Sequence, residues 1–346
     1  MSGTEMARSL GPVIKAESDS SNHDSRRVRS GSLVPAESTG TLPDDFTVSL
    51  ISQREFASRV RHAVTHGVGY AAGKLGISEQ HWMYYPFWPR DSADRRQRFA
   101  FDAAMRHHSR SSGIFPLTPE TFDSFAEFYA VHVRRLDCVG IGVHAGARLT
   151  PLERNVLWHY QLPGDLISYT DQEPCRSIPD QPDHCYLPAL AGKRVLLVCP
   201  FARLLQQRAT QAVFEGVWSR TEKRWFAPAS VEALEFPYGF DPATHARYSS
   251  VLSLFDDLAS RMRQYEFDVA LIAAAALGIP LASTAKEDGK VGISLGGHLQ
   301  VLFGVAGKRW RDSQEWSERY FNEWWIDMPE QYKPAHSQVC DAGSYW

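Results

Sequence analysis

Beyond about residue 46 the apolar positions fall into two alternating periods, one near 3.6 and one of short continuous runs. Over 51–66, Ile51, Phe56, Val60 and Val64 share roughly one face, which predicts a helix. Residues 68–76 (VGYAAGKLG) predict a short strand or turn entering a glycine-marked loop. Over 118–136, Phe122, Phe125, Tyr129 and Leu136 recur at helical spacing. Thr118 can cap that helix and Pro119 suits its first turn. A strand is predicted immediately afterwards, at 137–143 (DCVGIGV).

The second half repeats strand then helix. Residues 194–199 (RVLLVC) form an apolar run between Gly192 and Pro200, the pattern of a strand buried on both faces. A helix after Pro200 carries Phe201, Leu204 and Leu205, and an amphipathic helix over 249–265 carries Leu254, Leu258, Met262 and Tyr265. A strand at 267–272, an alanine-rich helix at 273–286 and a strand at 291–295 follow. Alternation of this kind predicts βαβ units and a parallel sheet, with right-handed crossovers laying helices over both faces. The expected fold is α/β: a Rossmann-like, mostly parallel sheet flanked by helices, in one main domain. Residues 1–45 are rich in Ser, Gly, Asp and Arg and predict a disordered tail. That leaves 46–325 for the domain and 326–346 for a C-terminal extension packing on it, the aromatic stretch from Trp310 to Trp346 reading as a cap on the same chain or as a subunit contact.

Composition narrows the function. The formal net charge of −3 offers nucleic acid no global attraction, so no nucleic-acid partner is expected. The longest apolar run, 269–282, is too short for a bilayer and contains Gly278 and Pro280, so no membrane span is expected. Cys138, Cys175, Cys185, Cys199 and Cys340 make no CxxC pair and no metal spacing with histidine. An odd count without a signal peptide points to reduced thiols and a cytoplasmic location. No GxSxG elbow, P-loop or zinc signature occurs, which counts against the commonest hydrolases, NTPases and metalloproteases.

Ligands of open parallel sheets bind beyond the carboxyl ends of the strands, and candidate chemistry collects there. The run Ala273-Ala274-Ala275-Ala276-Leu277-Gly278 either admits a ligand to the backbone or packs a helix closely on a strand, and it lacks the GxGxxG fingerprint. Gly296 and Gly297 permit a turn with positive φ, after which His298 and Gln300 project near the strand end. His298 reads as a phosphate ligand, a general base or a hydrogen-bonded structural residue. Lys308-Arg309-Trp310-Arg311 is a basic cluster suited to a diphosphate, or a solvated turn. Glu79, after Gly73-Lys74-Leu75-Gly76-Ile77-Ser78, reads in isolation as a helix-start carboxylate. The aromatics from Trp82 to Trp88 either fill a core or lid or stack on a sugar or base, and His107-His108 reads as surface.

Taken in order, the segments FDVALIAAAALGIPLASTAKEDGKVGISLGGHLQVLFGVAGKRW (267–310), SGIFPLTPETFDSFAEFYAVHVRRLDCVGI, KRVLLVCPFARLLQQ and FNEWWID…AGSYW resemble a bacterial family carrying a GT-D-like domain. The resemblance covers most of the chain after about residue 50. Characterised GT-D proteins are glycosyltransferases with a Rossmann-like domain, a nucleotide-sugar donor and a DxE motif that holds a divalent metal and the donor diphosphate. The motif lies in a segment reading roughly Arg-Phe-Gly-Asp-Gly-Glu, which Lys74-Leu75-Gly76-Ile77-Ser78-Glu79 matches. Lys74 takes the basic position, Gly76 is kept and Glu79 matches the glutamate, but Ile77 stands in place of the aspartate. Gly297-His298 matches a Gly-His pair after a late strand of that family.

The resemblance implies a glycosyltransferase acting on a nucleotide sugar and an unknown acceptor, with Glu79 and His298 catalytic. Donor binding is expected of Lys74, Gly76, Ser78, Gly296, Gly297, Gln300, Lys308 and Arg309. Glu79 is the expected ligand of Mn²⁺ or Mg²⁺. The Ile77 change also admits a nucleotide-sugar- or partner-binding module of the same fold without catalysis. A third reading is a Rossmann-type transferase that uses a nucleotide without sugar transfer.

Overall fold

The computed structural model describes residues 48–87, 95–142, 149–160, 162, 164–176 and 182–346. The predicted tail at 1–45 and Trp88 of the aromatic run lie outside these. Seven strands make one all-parallel sheet: β1 (Tyr70–Lys74), β2 (Cys138–Ile141), β3 (Asp165–Ser168), β4 (Arg194–Val198), β5 (Ser230–Leu234), β6 (Val269–Ile272) and β7 (Val291–Ser294). Their order is β3-β2-β1-β7-β6-β4-β5, so the chain builds outward from β1 and then returns from the opposite edge.

Alternate residues feed two cores. Ala71, Val139, Leu196, Val198, Ala270 and Ile272 face one side, beneath the helices Ile77–Tyr84, Pro119–Val133, Val251–Met262 and Gly278–Glu287. Ala72, Cys138, Val195, Leu197, Leu271 and Ile293 face the other, beneath Gln53–His66, Ala202–Arg208, Gln211–Val217 and the C-terminal segments. Both faces of the sheet are thus dry, as an all-parallel sheet requires. Trp82, Met83 and Tyr85 are buried in the first core, which places that part of the aromatic run inside.

Local signals account for many boundaries. Ser52 and Glu55 form a capping box on Gln53–His66, and Gly67 ends that helix in the left-handed region at φ 64°. Thr118 caps Pro119–Val133 by accepting from the Thr121 N–H, with Pro119 in the first turn. The alanine-rich helix departs from expectation. Ala275 takes φ 45°, a short 3-10 turn follows, and the α-helix begins only at Gly278. From there it lies very close to the sheet: a Cβ on Gly292 would stand 2.4 Å from the Ala282 carbonyl oxygen. Strands β3 and β5, at the two edges of the sheet, carry no long apolar run and were not expected from the pattern.

The chain's last residues pack on the second core. Arg309 N–H donates to the Ser344 carbonyl at 3.0 Å, and the Trp346 indole donates to the Tyr238 hydroxyl at 3.2 Å. Cys138, Cys185, Cys199 and Cys340 are unbridged. Among the described residues no helix is long and apolar enough to cross a membrane.

Candidate functional site

Beyond β1 the chain runs onto the face holding Trp82, and beyond the adjacent β7 it runs onto the face holding Leu299. Two neighbouring parallel strands whose connections part in this way open a crevice at their carboxyl ends. A cavity of about 490 Å³ occupies it, within the size range of small-molecule sites. Its wall takes in Gly76 to Glu79 after β1, Pro200 and Phe201 after β4, and Tyr238 to Phe240 after β5. It also takes in Ala273 to Ala275 after β6, Gly296, Gly297 and Gln300 after β7, and Arg309 with Tyr345 and Trp346.

Six of the expected donor-binding residues therefore share this wall: Gly76, Ser78, Gly296, Gly297, Gln300 and Arg309, together with the catalytic candidate Glu79. Gly296 adopts φ 56° and supplies the predicted turn. The Glu79 carboxylate folds back on its own loop, with Oε2 2.5 Å from where a Gly76 Cβ would be. The Ser78 hydroxyl lies 3.0 Å from His108 Nδ1, so His108 is not a bystander at the surface. Gln300 is almost fully buried, and its Nε2 donates to the Tyr345 carbonyl at 3.1 Å. Arg309 stands over the Tyr345 ring, 4.6 Å from its centroid. Ala273 to Ala275 line the cavity, while Gly278 packs against Ser294 of β7, the close helix–strand packing that was one of the run's two readings.

Lys74, His298 and Lys308 do not line the cavity. Lys308 is exposed. Lys74 and His298 meet instead in a largely buried ionic cluster centred on Glu173, whose side chain is 3% exposed. Glu173 Oε1 accepts from Lys74 Nζ, and Oε2 lies 2.8 Å from His298 Nε2 and 2.7 Å from Arg176 Nε. His298 Nδ1 lies 3.2 Å from Lys74 Nζ. An ammonium only donates, so Nδ1 accepts there and the proton sits on Nε2, which lies close to Glu173 Oε2 without hydrogen-bond geometry. Burial, with the nearby Lys74 charge, pulls the His298 pKa down to about 4, leaving it neutral near pH 7. Interaction with His298, Lys74 and Arg176 overcomes the penalty of burial and holds the Glu173 pKa at about 2. Arg176 continues the cluster to Glu315 at 3.1 Å and lies over the Trp316 ring.

Glu173, Arg176 and Tyr169 were not singled out from the sequence. Tyr169 lines the cavity and donates to the Leu75 carbonyl, bridging cavity and cluster. Gln172 beside them is fully buried with neither amide atom hydrogen-bonded. The segment after β3 carries no glycine turn to mark it, and only the fold, which brings Glu173 past β2 to Lys74 at the end of β1, gives it significance.

As a metal ligand set the β1 loop is short of donors. Glu79 supplies one carboxylate, and Ile77, where the resemblance predicts an aspartate, is 65% exposed and supplies none. Hard divalent cations take six or more oxygen ligands, so this loop does not make a metal site by itself. Among the described residues no group of three or more His, Cys, Asp and Glu side chains is placed to hold a metal ion. No family model, curated protein or solved structure matches the chain.

Proposed function

We propose that the chain is a glycosyltransferase that binds a nucleotide sugar in the cavity and passes the sugar to an acceptor hydroxyl. One observation carries this reading: the loops after β1 and β7 that resemble the GT-D donor site converge on one 490 Å³ cavity where a parallel sheet binds its ligands. In the transfer, the bond from the anomeric carbon to the diphosphate breaks as a bond to the acceptor oxygen forms. Glu79 is the carboxylate in the wall suited to receive the acceptor's proton, and Arg309 faces the charge left on the departing diphosphate. Lys74 and His298 support the site from behind by holding the ends of β1 and β7 together through Glu173. A cation at Glu79 would draw most of its ligands from the diphosphate and water.

The exposed Ile77 favours a second reading, a binding module of the same fold that retains the cavity without turnover. Thermal unfolding with UDP-, GDP- and dTDP-sugars, with and without Mn²⁺, tests the pair, because a ligand of the native state raises Tm by mass action. One nucleotide sugar that raises Tm and is consumed in a donor-hydrolysis assay supports the transferase. A rise without consumption supports the module, and no rise with any donor overturns both.

A further inference from the structure

The cavity changes character along the sheet. Toward β1 and β7 its wall is glycine, the Glu79 carboxylate and Arg309. Toward β5 it is aromatic: Tyr238 and Phe240 lie 5.3 Å apart with a tilt of 32°, and Trp346 meets them edge-on at 69° and 80°. Three rings so disposed make a corner, in which a planar ring can stack on one wall while its edge meets the other. The corner is held in place: the Trp346 indole donates to the Tyr238 hydroxyl, and Gln300 holds the neighbouring Tyr345 carbonyl. All three rings are half-buried and line the cavity, so they are neither core nor open surface.

β7 and β5 are separated by β6 and β4. Three interstrand spacings amount to about 14 Å, a span that accommodates a base, a ribose and two phosphates laid along the strand ends. Resting on the donor-binding reading above, we propose that Tyr238, Phe240 and Trp346 form the seat of the nucleobase, with the diphosphate directed toward Gly296, Gly297 and Arg309. The base is then bound through its π-face and apolar edge, by residues that lie outside every segment marked from the sequence as donor-binding.

Calorimetric titration of the full chain with UDP, GDP, dTDP and inorganic pyrophosphate tests the assignment. Stacking on an aromatic side chain is worth about 1–3 kcal/mol per base, so Trp346→Ala weakens the best-bound nucleoside diphosphate by about 5- to 150-fold. Trp346→Phe recovers most of that loss, Phe240→Leu reproduces part of it, and pyrophosphate affinity changes less than about twofold across the set, an expectation from the same stacking argument. Unchanged nucleoside diphosphate binding in both Trp346→Ala and Phe240→Leu, each still folding cooperatively, overturns the base seat alone. An equal loss for pyrophosphate also overturns it, because the wall then acts on the whole site. If the unmodified chain binds no nucleoside diphosphate, the donor-binding reading falls with it.

Discussion

The cavity and the Glu173 cluster stand side by side at the carboxyl ends of β1 and β7, yet they are built on opposite terms. The cavity wall is mostly glycine, alanine and aromatic, with Glu79 and Arg309 among its few charges. The cluster packs one carboxylate against Lys74, Arg176 and His298 with little solvent. Two loops that look alike in sequence, each a glycine turn followed by a polar residue, were thus separated: Glu79 went to the cavity and His298 to the cluster. Charge placed in a cavity wall is available to a ligand. Charge already matched by buried partners is committed to holding strands together.

Removal of the central carboxylate is the harshest test of this contrast. Glu173→Leu takes the central carboxylate away from Lys74, Arg176 and His298, and breaking a buried pair from one side costs about 3–5 kcal/mol. Glu79→Gln, in the half-open wall, is expected to cost below about 1 kcal/mol while impairing turnover. Denaturant unfolding of the two variants measures the gap, and equal losses would erase the distinction between cluster and cavity.

Next in size is a purely steric change at the cavity wall. Gly113 and Gly239 both line it, and a Cβ on Gly239 would stand 2.4 Å from the Gly113 carbonyl oxygen. Gly239→Ala is expected to cost about 1–3 kcal/mol through backbone displacement. It should also weaken ligand binding, since the displaced loop carries Tyr238 and Phe240. A calorimetric Tm and a binding titration on the same sample check both effects.

Acid provides a graded test. His298 and His132 each have a pKa lowered to about 4 by burial, so between pH 6.5 and 4 the unfolded chain binds protons that the folded chain refuses. Stability from these groups is complete above pH 6.5 and is lost as pH falls toward 4, at up to about 1.4 kcal/mol per unit for each histidine. Glu173, held at about 2, adds a loss from about pH 4.5 downward, because the unfolded carboxyl protonates first. His298→Asn should remove the His298 share of the slope above pH 4.5, leaving that of His132 and of His159, whose pKa burial also lowers. A slope unchanged in that variant would mean that His298 already titrates freely, as a cavity residue would.

The smallest structural effect and the sharpest functional one belong to Ile77→Asp. The side chain is 65% exposed, so stability should move by less than about 0.5 kcal/mol. The new carboxylate beside Glu79 should make nucleoside diphosphate binding more dependent on Mn²⁺, which titration with and without the metal measures. Binding that stays indifferent to Mn²⁺ would remove the support that the GT-D resemblance lends to this loop.

Much of this architecture was legible along the chain. Continuous apolar runs marked β4 and β6, and helical spacing with Thr118 and Pro119 placed the start of Pro119–Val133 to the residue. The helix expected from 273 was displaced because Ala275 adopts a left-handed φ that composition does not announce. The polar residues after β3 were missed for a different reason. Glu173 resembles any loop glutamate until Lys74, 99 residues away, is brought against it.

The sequence by itself therefore determined the α/β class, the parallel sheet and which faces of its elements are apolar. These follow from periods of two to four residues, the range over which backbone hydrogen bonding and side-chain direction are set. The tertiary structure alone decided that Lys74 would meet His298 across 224 residues, and that residues from Gly76 to Trp346 would wall a single cavity. Those outcomes depend on strand order and on the face each crossover takes. Both are settled by burial of the whole sheet rather than by any local pattern.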